Sequence, residues 1–152
     1  MKYIVSSFIL LSLIILAGCG KKDDGNTFVT GTVTQGGQPL ADARVVFIPE
    51  SGTGEGASGK TDESGKFVLT TSTGKDGSGT KPGEYKVTVS KTKMEWDGKA
   101  YITVTQNDAE VQVKDEKTVQ LLPMQYANSV QTPFKATVTT NKDTNVFDFD
   151  IP

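Results

Sequence analysis

After residue 20 the chain alternates apolar and polar positions in short runs. No window keeps the i, i+3, i+4 apolar spacing of an amphipathic helix. Residues 27–34 (TFVTGTVT) predict a first strand, and Gln35-Gly36-Gly37-Gln38-Pro39 predicts the turn that follows it. Residues 43–48 (ARVVFI) predict a second strand, stopped by Pro49, and 66–71 (KFVLTT) a third with Phe67 and Leu69 on one face. In 84–91 (EYKVTVSK), Tyr85, Val87 and Val89 point one way and Lys86, Thr88 and Ser90 the other. Residues 134–140 (FKATVTT) alternate similarly, as do 145–151 (NVFDFDI), where Phe147, Phe149 and Ile151 oppose Asp148 and Asp150. One-sided alternation predicts sheets with one buried and one wet face, hence an all-β sandwich.

Between these strands, glycine is concentrated. Nine of the 16 glycines lie between Gly52 and Gly83, so 51–60 and 72–83 are expected to be long hairpin loops. Residues 54–61 (GEGASGKT) come near the phosphate-loop pattern, but no helix follows to aim its dipole at a phosphate. The stretch 92–120 fits the sandwich pattern least. It reads as an insertion: a hairpin of 101–105 and 111–113 around Gln106-Asn107-Asp108, or a mobile excursion. Within it lies Trp96, the single tryptophan, in a polar setting (MEWDGK). As an exposed side chain it would be a contact residue. The plainer expectation is that it covers a sheet edge or the end of the core.

The N-terminus has a different character. Lys2 is followed by an apolar run from Ile4 to Ala17, then Gly18 and Cys19. A basic start, a short apolar stretch and small residues form the anatomy of a secretory signal. The run is shorter than the roughly 20 residues a spanning helix needs. Leu16-Ala17-Gly18-Cys19 resembles the bacterial lipoprotein box, which implies a signal peptide at 1–18 and a lipidated Cys19 as the mature N-terminus. Residues 19–26 then form a polar tether. Anchoring would be to the cell membrane or outer membrane, through acyl chains each gaining about 0.8 kcal/mol per buried CH₂.

Processing would leave 134 residues, the 152 of the chain less 18. That is one domain's worth of chain, at 27–151. Of the 16 basic residues only Lys2 would be lost, leaving 15 against 18 acids, a net of −3. This balance argues against a nucleic-acid partner. Histidine is absent and Cys19 is the one cysteine. Ser-His-Asp, Cys-His and His-ligated metal chemistry are thereby excluded. No cofactor is expected.

Three segments carry a family resemblance: VTGTVTQGGQPLADARVVFIP at 29–49, TDESGKF at 61–67 and PGEYKVTV at 82–89. Their order resembles carboxypeptidase regulatory-like domains, which are transthyretin-like sandwiches. The resemblance implies a single Greek-key β-sandwich of about seven strands, transthyretin-like or Ig-like. Leu122-Pro123-Met124-Gln125-Tyr126, Thr132 and 145–149 (NVFDF) further resemble the ending of short bacterial lipoproteins that carry this one sandwich. In such families these motifs mark scaffold turns, so the resemblance supplies no catalytic residue.

The expected function is a non-enzymatic, membrane-anchored binding or assembly module, with an envelope protein as partner. The alternative is an accessory that binds a small ligand or a glycan. Trp96 and Tyr101 are the candidate contacts, and Tyr126 is expected to pack at a strand corner. Three other chemistries are disfavoured. Asp148 and Asp150, about 7 Å apart along one strand face, suit a glycosidase superficially but are better read as acids that solubilise an edge strand. Asp62/Glu63/Ser64 and Asp148/Asp150 lack calcium-loop spacing. Asn145 would suit an isopeptide crosslink, but 27–34 holds no lysine.

Overall fold

The computed structural model describes residues 25–51 and 55–152. The signal peptide at 1–18, Cys19 and the tether as far as residue 24 lie outside the described residues. No helix among the described residues is long and apolar enough to cross a membrane.

The fold is all-β. Strand β1 (Thr30–Gln35) is central to one sheet. Gly36 and Gly37, at φ +56° and +75°, turn it tightly into the two-residue β2 (Gln38–Pro39). Two successive positive φ values suit a two-residue hairpin, and glycine adopts them without steric cost. Strand β3 (Arg44–Pro49) buries Val45 and Phe47 and pairs with β4 (Ala57–Lys60). Pro49 is the last residue of β3 rather than the first beyond it. β4 corrects the reading of 51–60 as loop throughout. Its only buried side chain is Ala57, and it is a strand because β3 and the two-residue strand β6 (Thr70–Thr71) flank it on either side.

The expected third strand is two pieces. β5 (Lys66–Val68) pairs with β1, whereas β6 (Thr70–Thr71) pairs with β4 in the other sheet. Leu69 is the crossing point. It is fully buried, and its N–H donates to the Val29 carbonyl at 3.0 Å. β7 (Gly83–Ser90) then pairs with β3, and β10 (Lys135–Val138) with β7. The last strand, β11 (Val146–Ile151), runs parallel to β1, from Thr30 opposite Val146 to Gln35 opposite Ile151.

The second sheet thus has the order β10-β7-β3-β4-β6, and β11-β1-β2 with β5 forms the first. Both line one core, centred on Phe47. Its ring lies 5.7–6.3 Å from those of Phe67, Tyr85, Phe147 and Phe149. Tilted and edge-on aromatic contacts of this kind add to simple burial. Gly31 is buried where a Cβ would collide with the Phe147 carbonyl oxygen and press on the Phe67 ring.

Sequence periodicity predicts no helix, but among the described residues a short α-helix is present. α1 (Met124–Ala127) lays Tyr126 against Phe134, with ring centroids 5.4 Å apart. Tyr126 is buried there, among the core residues.

The stretch 92–120 is an ordered ribbon, longer than the hairpin expected. β8 (Thr92–Gln106) and β9 (Ala109–Gln120) pair from Thr92 opposite Gln120 to Gln106 opposite Ala109. Asn107 and Asp108 make the turn at φ +51° and +61°. Asn and Asp tolerate this region best among residues other than glycine. The ribbon forms its own two-stranded sheet.

Candidate functional site

Both candidate contact residues lie on β8, and the structure brings them together. Trp96 packs edge-on against Tyr101, with ring centroids 5.4 Å apart. In an unbroken strand, residues five apart point to opposite faces. The pairing register explains the exception. Trp96 lies opposite Glu116 and Tyr101 opposite Lys114, so the four residues between them are accommodated against Asp115 alone. That irregularity turns Trp96 and Tyr101 onto one face, a common use of bulges. Lys114 completes the cluster, its Nζ 4.7 Å from the Trp96 ring centroid. This is cation–π distance.

Trp96 is half-buried in the ribbon and outside the core cluster, so it does not cover the end of the core. Tyr101 is 52% exposed and Met94 61%. A depression of about 330 Å³ adjoins Trp96, lined also by Glu95, Asp115, Lys117 and Val119. On the opposite face Ile102 lies across from Val113, and Val104 across from Val111. Ile102, Val111 and Val113 are exposed. The ribbon therefore presents an aromatic–cationic face and an aliphatic face to solvent. Grouped exposed apolar side chains of this kind are unusual on a surface with no partner.

The other candidate chemistries fare differently. Asp148 and Asp150 stand exposed on β11. Asp150 accepts a hydrogen bond from the Thr34 hydroxyl and a longer one, 3.4 Å, from the Gly37 N–H. Those bonds tie the carboxylate to the β1–β2 hairpin. Asp62 Oδ1 accepts from the Ser64 hydroxyl at 2.7 Å, the Ser64 N–H at 2.8 Å and the Lys66 N–H at 3.0 Å. These bonds, the Ser64 hydroxyl first, hold its pKa below the ordinary value. Among the described residues no three metal-ligating side chains converge.

Residues 54–61 in fact meet the phosphate-loop spacing in full, with four residues between Gly54 and Gly59 and then Lys60-Thr61. From residue 55 onward the backbone lacks the corresponding shape. Ala57–Lys60 is β4, and the buried Thr61 hydroxyl donates to the Leu40 carbonyl at 2.6 Å. Asn145 is fully buried, and its Nδ2 donates to Thr139 O at 2.9 Å and to Thr27 Oγ1 at 3.3 Å.

No protein-family model matches the chain, and no curated protein matches it. Among solved structures, a 9R-lipoxygenase from Cyanothece PCC8801 aligns with 88% of this chain at 16% identity and a TM-score of 0.37. The chain spans 17% of that enzyme's length. A likeness of that size assigns neither fold nor activity.

Proposed function

We propose that this chain is a lipid-anchored envelope protein whose β-sandwich is a non-catalytic platform for a binding or assembly surface, the β8–β9 ribbon. The observation that carries the reading is the ribbon itself. An isolated two-stranded hairpin is marginal in water, yet this one extends 12–15 residues per strand and exposes Tyr101, Ile102, Val111 and Val113. Such a surface suits a protein partner in the envelope, with Trp96 and Tyr101 as anchors.

The platform is a seven-strand Greek-key sandwich of the carboxypeptidase regulatory-like, transthyretin-like kind. Two features support this. The motif order at 29–49, 61–67 and 82–89 resembles that family. With β5 and β6 taken as one strand that changes sheet, and β2 and the ribbon set aside, seven strands remain. Anchoring through acylated Cys19 rests on the lipoprotein-box resemblance, and it places the domain in the periplasm or on the cell surface.

A photo-crosslinking residue at Tyr101 in the native cell tests the reading. Reproducible capture of one envelope protein, absent with the same residue at Ser64, is the expected result. Equal yields at both positions would sink it. A second reading, an accessory glycan-binding module, is favoured by the Trp96–Tyr101–Lys114 cluster alone, since exposed aromatics stack on sugars. Glycan-array binding lost in Trp96→Ala would establish it.

A further inference from the structure

A groove of about 830 Å³ runs across the outer face of the second sheet to the base of the ribbon. It lies apart from Trp96 and Tyr101. Arg44, Lys60, Lys91 and Lys93 line it, with Asp42 the one acid. A chain with net charge −2 has thus gathered four cations in one concavity. The register makes this costly. Arg44 lies directly opposite Lys60 on β4 and directly opposite Ser90 on β7. Like charges facing each other across strands destabilise a sheet. Asp42 offsets part of the cost, ion-paired with Lys60 at 2.7 Å. Its pKa is lowered first by the Lys60 hydrogen bond and charge, with a smaller contribution from Lys91. A carboxylate already sits favourably in this field, and Arg44 lines the same groove, whereas Lys93 is ion-paired with Glu95 at 3.3 Å.

The rest of the lining narrows the ligand class. Ser58, Thr70, Ser90 and Thr92 supply hydroxyls among the cations, and no aromatic side chain is present. Hydroxyls pair with sugar hydroxyls, while Lys and Arg pair with carboxylates. A neutral sugar would lack the ring it ordinarily stacks on. The volume lies in the range of small-molecule sites and far exceeds a single phosphate. We infer that this groove is a binding site for an acidic oligosaccharide, with Arg44 and Lys60 taking its carboxylates and Asp42 acting as an internal competitor for Lys60.

The test uses isothermal titration of the folded protein with hexagalacturonate, with maltohexaose as the neutral control. Hexagalacturonate binds and maltohexaose does not, and affinity falls as ionic strength rises. Arg44→Ser with Lys60→Ser weakens binding about five- to ten-fold, as expected for two partly exposed ion pairs. Asp42→Asn frees Lys60 and tightens binding about two- to five-fold. Asn suits position 42, whose φ is +58°. A gain of affinity separates the inference from mere misfolding. Arg44→Ser alone leaves the free protein as stable as the parent or more so, because a like-charge pair is relieved. Trp96→Ala leaves this binding unchanged, so the groove and the ribbon surface fail or stand separately. Equal binding of both saccharides, binding of neither, or binding only to phosphatidylglycerol vesicles would overturn the inference.

Discussion

Asn145 pairs with the backbone of Thr139 as a strand residue would. Its Oδ1 accepts the Thr139 N–H at 2.9 Å and its Nδ2 donates to the Thr139 carbonyl at 2.9 Å. The same amide reaches Thr27 Oγ1, and the Asn145 carbonyl accepts the Thr30 N–H. One buried side chain thereby closes the β10–β11 connection and ties it to the chain entering β1. Asn145→Ala removes both partners of the Thr139 backbone and empties a fully buried side-chain site. The expected loss is about 1–3 kcal/mol in denaturant unfolding, from the hydrogen bonds no longer made. Asn145→Asp removes only the donor yet buries a charge, so it is expected to cost at least as much. Parent-like stability of both variants would contradict this role.

Strands with clean alternation were legible in the sequence. β3, β7 and β11 lie within a residue or two of where Val45, Tyr85 and Phe149 put them. What was not legible depends on distant chain. β4 (ASGK) has no alternation to read and exists because neighbours on both sides complete its hydrogen bonds. The parallel pairing of β1 with β11 joins chain ends that no local pattern relates. α1 spans four residues, too few to show a helical period. Trp96 and Tyr101 were each visible as candidates, but their meeting was not. Odd spacing puts them on opposite faces until the bulge opposite Asp115 intervenes.

Gly31→Ala tests the close approach of β1 and β11. The added methyl collides with the Phe147 backbone and the Phe67 ring, and a parallel strand pair has little freedom to yield. Thermal unfolding is expected to show a loss of about 2–3 kcal/mol, the upper part of the usual range for overpacking. At Gly36, which has open space around it, the cost of Ala comes from its positive φ alone and is smaller.

Stability should depend on pH at the acid end. Asp42, Glu55 and Asp62 all have lowered pKa values, held first by Lys60, the Thr73 hydroxyl and the Ser64 hydroxyl. The unfolded chain therefore binds protons at a higher pH than the folded one. Stability from these groups is full above their ordinary values of 3.8 and 4.5 and is lost as pH falls through the lower, folded values. Lys135 is shifted upward by its hydrogen bond to Glu50. Its contribution is full below 10.5 and is lost as pH rises through the higher, folded value. Melting temperature should be level through neutrality and decline in acid. Asp62→Asn should flatten part of that decline, and an unchanged slope would remove Asp62 as a cause.

Cys19→Ser tests the proposed anchor. The parent should incorporate labelled palmitate and partition with membranes. The variant should do neither, since a serine hydroxyl cannot form the thioether. An unlabelled parent would return residues 1–18 to the status of an ordinary signal segment and remove the membrane from the proposed function.

Trp96→Ala and Tyr101→Ala test whether the ribbon is built for contact. Both side chains lie outside the core, and the Lys114–Trp96 stacking is at the surface. Losing it should cost no more than about 1 kcal/mol. Core residues behave otherwise. Phe47→Ala, at the centre of the aromatic cluster, is expected to cost about 3–5 kcal/mol. The contact role predicts a split. Melting temperature in Trp96→Ala stays close to that of the parent, while capture of the envelope partner by a crosslinker at Met94 on the same ribbon falls away. If Trp96→Ala instead unfolds the domain as Phe47→Ala does, the aromatic pair is a structural brace. If neither stability nor capture changes, the contact surface lies on the opposite, aliphatic face at Ile102 and Val113, and the double substitution to Thr there becomes the variant that abolishes capture.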